Sequence, residues 1–379
     1  MLSRPYRKRL RYEGRSRQAS DDRQTCLPAR SIIRNIRAVT DAVKSGGSTN
    51  RLQSLLLLCG LGLLLVLALT HLSVGARPVS PQFLIDALTS RDITSFDQQI
   101  LLKLRLPRLL AAILCGASLG IAGRLLQSIL RNPLAEPHIL GLNAGASLAL
   151  VASTALPAGL MVFPASRPLI AVAGSGVLFA LVLFLSSAGR TGLTMTKVTF
   201  CGIALSALAS ACVSAILILD QETLEQMRFW LAGDLSGISL SDLQTVLPIV
   251  VIAAMAAAWI TSRLDIMALG DQTATGLGVP VRQTRLIGLI ATALFCGASV
   301  SLCGPIGFIG LIVGGVAHRM VGGRHMVSIP LSALLGANLM IAADIAARTI
   351  AAPQELATGI LTAFVGAPVF IAVVARVLR

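Results

Sequence analysis

Ser118 stands in Gly-Ala-Ser-Leu-Gly (116–120), the glycine spacing of a nucleophile elbow. That chemistry needs a strand feeding a sharp turn into a helix, which lifts the hydroxyl to the top of a sheet. Here the pentapeptide lies inside a charge-free run, 109–123. Small residues at 116, 120 and 123 instead suit the close approach of helices in a membrane. Gly-Leu-Asn-Ala-Gly (141–145) and Gly-Leu-Ile-Val-Gly (310–314) read the same way. His71, His138, His318 and His325 are scattered without metal-ligand spacing. Residues 189–197 lack the Gly-Lys-Ser/Thr order of a phosphate loop. The seven cysteines include no Cys-x-x-Cys and read as small buried hydrophobes. No catalytic set assembles, so the chain reads as no enzyme, with no metal and no cofactor of its own.

The remaining chemistry is electrostatic. Arg105 and Arg108 fall in Arg-Leu-Pro-Arg, just ahead of an apolar run. Asp344 and Arg348 are one helical turn apart, acid first, the favourable order for a local pair. Glu136 stands between Pro133 and Pro137 in RNPLAEPHILG (131–141). Those prolines block regular helix. Broken backbone at membrane depth is tolerated only where protein or a water-filled cavity satisfies it, so the stretch is either a gate lining or a tight loop. Arg124 lies about 25 Å past Pro107 along a helix, placed to snorkel towards headgroups. In LDIMALGDQTATGLGVPVRQTR (264–285), Asp271 can cap a short helix that ends before Gly278 and Pro280. Met267, Leu269 and Leu277 give that element an apolar side, fit for a partner's groove.

The elements that must position these residues are membrane helices. Of 379 residues 55% are hydrophobic and 13% charged. Continuous apolar runs, each near the roughly 20 residues of one crossing, predict an all-α polytopic membrane protein with about ten spans. These fall at 53–72, 107–130, 138–157, 168–188, 198–219, 244–262, 286–303, 304–320, 327–347 and 356–375. Net charge is +15, much of it in residues 1–51. That segment reads as a disordered basic cytoplasmic tail, attracted to anionic lipid and too poor in aromatics to bind nucleic acid. The transmembrane body is 52–379. A basic tail fixes the amino end inside, and with ten spans both termini are cytoplasmic. Arg131, Arg190, Lys197, Arg263, Arg282, Arg285, Arg319 and Arg324 then fall in inner loops. Arg105, Arg108 and Arg348 fall outside, against the rule. RLPRLLAAILCGAS (105–118) also echoes RQTRLIGLIATALFCGAS (282–299). The two copies cross in opposite directions, the pattern of an inverted repeat.

From about residue 52 onward the chain resembles the FecCD family of binding-protein-dependent ABC transporter permeases, importers of iron–siderophores, haem or cobalamin. The resemblance is carried by RLPRLLAAILCGASLGIAG, LLQSILRNPLAEPHILGLNAGASLAL, WLAGDLSG (230–237), ALGDQTATGLGV (268–279), GPIGFIGLIV (304–313), PLSALLGANLMIAADIAAR (330–348) and ELATGILTAFVGAPVFI (355–371). It implies a subunit of the bacterial inner membrane that pairs with a second permease subunit, a copy or a paralogue. ATP and magnesium would sit on separate ATP-binding cassette subunits. It implies that Ala268, Leu269, Gly270, Asp271, Ala274, Leu277 and Gly278 couple to that ATPase. Arg105, Arg108 and Arg348 would receive acidic residues of a periplasmic substrate-binding protein, which explains arginines on the wrong side. Asn132, Leu134, Met195 and Thr196 would lie near the inner gate. Iron(III)–siderophore is the expected cargo, with haem or cobalamin as alternatives. An ion-gradient-driven secondary transporter is the rival of another class, but it needs mid-membrane ionisable groups, and only Asp344 and Glu136 come close. One departure stands out. Gly314-Gly315 replaces the family's Pro-His, which predicts a looser helix end there.

Overall fold

In the computed structural model of the chain, residues 29–74, 96–156, 167–188, 194–351 and 354–377 are described. Residues 1–28 of the expected tail 1–51, and most of the outer polar segment, 75–95, lie outside them; residues 29–51, expected to be disordered, are helical. The chain divides into two compact units, Met1–Leu52 and Gln53–Arg379. All regular structure among the described residues is helical. Helix α1 is Ala29–Ser73, α2 is Phe96–Ile100 and α3 is Leu106–Leu130. Next come α4 (Leu142–Ala155), α5 (Arg167–Ser187), α6 (Met195–Leu219) and α7 (Gln221–Leu231). They are followed by α8 (Leu240–Met267), α9 (Asp271–Gly276), α10 (Val281–Cys303) and α11 (Ile309–Val321). The last two are α12 (His325–Ile350) and α13 (Thr358–Val377). Seven helical stretches are long and apolar enough to cross a membrane, and three shorter apolar helices accompany them: Leu142–Ala155, Ile309–Val321 and Thr358–Ala372. In position the ten coincide with the ten expected spans, three of them shorter than a full crossing.

Local sequence sets the boundaries. Ser239 and Asp242 form a reciprocal capping box that starts α8, and Asp220 accepts from the N–H groups of Glu222 and Thr223 to start α7. Arg105 and Arg108 do not mark a loop-to-helix boundary. Leu101–Arg105 form one π-helical turn that joins α2 to α3, closed by the Leu106 N–H on the Leu101 carbonyl. Pro107 has no N–H to offer the preceding turn, and the wider turn accommodates it. The sequence also placed a span over 304–320, but Gly304–Phe308 is irregular and α11 begins only at Ile309. Gly304 and Phe308 both take positive φ, 72° and 69°, which breaks the helix. The Gly314-Gly315 pair, expected to loosen a helix end, sits inside α11 without interrupting it.

Helices α3 and α10 form the centre. In the spans that contain them 72% of the most apolar window is buried, against 17% in α6. Cys115 meets Ser299 while Ile129 stands against Gly288. Numbers rise along one helix as they fall along the other, so the two echoed segments run antiparallel, as an inverted repeat requires. Helix α12 packs against α3 through Gly116 and Gly120, where an added Cβ would strike the Gly336 and Ser332 carbonyls. Gly123 faces Gly310 of α11 in the same way. The sequence assigned these small residues to packing, and that is their use.

Candidate functional site

Helix α3 is about 37 Å long, and the chain places a charged cluster at each end of it. At the Arg108 end the hub is Asp344, whose side chain is fully buried. The Arg108 guanidinium donates twice to it, from Nη2 to Oδ1 at 2.9 Å and from Nε to Oδ2 at 3.0 Å. Thr358 Oγ1 donates to Oδ1 at 2.9 Å, and His71 Nε2 lies 2.8 Å from Oδ2. An ionised carboxylate only accepts, so that ring nitrogen carries the proton. Arg348 Nε is 3.3 Å from the same carboxylate, but its angle does not make a hydrogen bond. The Arg348 guanidinium donates instead to the carbonyls of His71 and Val74. Arg105 donates to the Leu72 carbonyl at 2.6 Å. The half-exposed Glu355 completes the set at 2.7 Å from Arg108 Nη1.

The three arginines expected to dock a binding protein are thus drawn inward. Arg105 is 8% exposed and Arg348 9%, because a buried aspartate and the carbonyl end of α1 draw them inward. The local Asp344–Arg348 pair read from sequence is the weaker contact. The main partner of Asp344 is 236 residues away. His71, Glu355 and Thr358 were not singled out in the sequence. Their signal was an acid inside an apolar span, which must find partners somewhere.

At mid-depth two broken segments meet. Arg131 takes φ 50° and reverses the chain after α3. Pro137 then returns to the level of Gly310, which itself packs on Leu119 and Gly123. The Glu136 carboxylate accepts the backbone N–H of Phe308, so each break supplies what the other lacks. Sequence reasoning found the break at 131–141 but neither the one at 304–308 nor their contact.

At the other end of α3, Asp271 opens the six-residue helix α9. Arg131 Nη2 donates to it at 2.6 Å and Arg285 Nη2 at 2.7 Å. Arg131 also donates to the Met267 carbonyl. Ala274 is fully buried beneath the element, whereas Leu269 and Leu277 are 67% and 62% exposed. Gly270 and Gly278 take φ 112° and 81°, so glycine is what permits both turns. Ala268 closes α8. The expected coupling residues are therefore brought together in one knob, tethered by Arg131 and Arg285. The echo between α3 and α10 is also electrostatic: Arg108 pairs with Asp344, and Arg285 with Asp271.

The four expected gate residues are split. Leu134 N–H donates to Asn132 Oδ1 at 2.9 Å, an Asx turn. Asn132 lines a cavity of about 510 Å³ beside Arg124 and His325. Met195 lines a different one, of about 600 Å³, beside Asp271 and Arg285. Thr196 is exposed. Arg124 does not snorkel; it is 4% exposed. It donates to Ser328 Oγ at 3.0 Å and Ser128 Oγ at 2.7 Å. Its Nη2 also lies 3.2 Å from His318 Nδ1 and 3.4 Å from His325 Nε2.

Comparison with known proteins adds what geometry cannot. A model of the FecCD transport family matches residues 63–376. The ferric enterobactin transport system permease protein FepD of Escherichia coli (strain K12) is 40% identical over 323 residues, 84% of this chain and 95% of that protein. The Fe(3+)-citrate import system permease protein YfmD of Bacillus subtilis (strain 168) is 40% identical over 304 residues, 79% of this chain and 88% of that one. A solved metal-chelate type ABC transporter, in an inward-facing conformation, superposes with a TM-score of 0.73 at 27% identity. That match covers 84% of this chain and 98% of the solved one.

Proposed function

The chain belongs to the FecCD transport family, and we propose that it is the membrane permease subunit of a binding-protein-dependent ABC importer for iron(III)–siderophore complexes. The observation that carries this reading is the extent of the match. It runs from residue 63 to 376 and so includes every cluster described above. Relatives named for ferric enterobactin and ferric citrate support iron chelates over haem or cobalamin.

In this reading ATP and magnesium are held by separate ATPase subunits. The α9 knob, with Leu269 and Leu277 outward, enters a groove on the ATPase and transmits its stroke to α8 and α10. Asp271 holds the knob to Arg131 and Arg285, so displacement of α9 pulls on the end of α3. The opposite end, with Arg105, Arg108 and Arg348, faces the periplasm and meets the binding protein. With Arg105 and Arg348 buried and Arg108 partly so, these arginines act through their summed field, which steers an acidic partner and sets its on-rate. Asn132, Leu134, Met195 and Thr196 lie towards the cytoplasmic gate. Large apolar residues left exposed on α6 and α13, among them Phe200, Leu208 and Phe364, need cover from lipid or a second permease subunit. Both termini are cytoplasmic and the membrane is the bacterial inner membrane.

The test of cargo is uptake in cells that lack this gene. Loss of radiolabelled ferric siderophore accumulation, restored by the gene in trans, is the expected result. Loss of haem or cobalamin uptake with siderophore uptake intact would overturn the cargo assignment.

A further inference from the structure

We infer that the cavity beside Arg124 is a binding site for a phosphate-bearing anion, and that its occupant is an anionic phospholipid. The cavity lining is unbalanced in charge. Arg124, Arg131 and Arg319 line the cavity together with His318 and His325, and among the described residues no aspartate or glutamate does. Arg131 is already matched by Asp271. Asp265 is engaged by His325, through its backbone N–H at 2.8 Å and its Nδ1 at 2.6 Å. Arg124 is left with hydroxyls and imidazoles as its hydrogen-bond partners. A buried guanidinium without a carboxylate in contact is costly inside a membrane protein. An anion entering the cavity would add a counter-charge in direct contact, beyond that of Asp265, which acts on Arg124 without touching it, and guanidinium groups match phosphate geometry well.

The shape of the lining selects a lipid. Leu311, Ile312, Val316 and Val369 supply apolar lining to the same cavity. A free anion would leave that lining wet, whereas an acyl chain covers it. The depth agrees as well. Arg124 lies seven residues before the αL cap of α3 at Arg131, about 10 Å from that helix end, where headgroup phosphates meet hydrocarbon. Basic pockets between membrane helices on the cytoplasmic side are the usual form of such sites. The inference is independent of which cargo the importer carries.

The test uses the purified full-length chain in detergent micelles. Phosphatidylglycerol and phosphatidylcholine of identical acyl composition are titrated in turn. Bound lipid is counted by native mass spectrometry and stability is followed by thermal melting. Arg124→Gln can fail to fold, so the working variant is Arg319→Gln, at an exposed position. The control is Arg228→Gln on α7, away from the cavity. One phosphatidylglycerol should bind in preference to phosphatidylcholine and raise the melting temperature. Affinity should fall about fivefold in R319Q, the share of one basic residue near the headgroups, and remain unchanged in R228Q. Equal binding of both lipids, or equal losses in R319Q and R228Q, would overturn the site. An equal rise in melting temperature with inorganic phosphate alone, abolished in R319Q, would place a soluble anion there and overturn the lipid assignment.

Discussion

Asp344→Asn separates two accounts of the Arg108 end by magnitude. If Asp344 served only Arg348, one turn away, its loss would cost about 0.3–0.5 kcal/mol, the worth of a local helix pair. As the buried acceptor of Arg108, His71 and Thr358 it is worth far more. Removing one partner of a buried ion pair costs about 3–5 kcal/mol, because the charges left behind have no counter-ion. D344N keeps the shape and removes the charge, so the large value should be seen in reversible unfolding of the purified chain in micelles. Two further variants, R108Q and D344N/R108Q, complete a cycle. Asp344 and Arg108 touch, so the double variant should be less destabilised than the sum of the singles, by about 0.5–3 kcal/mol. A D344N cost below about 0.5 kcal/mol, or strict additivity, would refute the hub.

Gly120→Val should destabilise the chain by at least about 1–3 kcal/mol, the range for overpacking, because the added carbons meet the Ser332 carbonyl of α12; unfolding measurements on the variant check this. Leu269→Ser with Leu277→Ser should leave stability within about 0.5 kcal/mol, since both side chains are mostly exposed. In the assembled importer the same change should abolish ATP-driven uptake, and wild-type transport would contradict the role given to α9. Asp220, capping α7, is held below the usual carboxylate range by hydrogen bonds from Thr223. A carboxyl with a lowered folded-state pKa contributes stability above its ordinary pKa, and that contribution is lost as pH falls through the folded value. Hydrogen exchange in α7 should therefore rise as pH falls through that range, after correction for intrinsic rates, and D220N should remove the dependence.

How much of this was legible in the sequence follows from the range of each interaction. Charge-free runs located the membrane helices because burial in lipid is a property of a contiguous stretch. Gly116, Gly120 and Gly123 announced close packing for the same local reason. The short helix at 271–276 was readable too, but Asp271 does not cap it: Gly270 holds that place without a side-chain bond, and the carboxylate is taken by Arg131 and Arg285. The Asp344–Arg108 bond spans 236 residues, and nothing near either residue names the other. Glu136 on Phe308 is another such long-range match. Arg124 was misjudged because a helical-rise estimate gives depth but not the facing side chains. His318, Ser328 and His325 reach it from α11 and α12, and they make snorkelling unnecessary. An ionisable group inside an apolar run was the one sequence signal common to Asp344 and Arg124.

The central claim is that this chain moves cargo only as part of an ATP-driven assembly. The direct measurement is uptake of a radiolabelled ferric siderophore into proteoliposomes, with the chain present alone or together with its ATPase and binding protein. The account predicts accumulation only in the complete system, dependent on ATP hydrolysis and indifferent to proton or sodium gradients. Accumulation by the chain alone under an ion gradient would contradict it.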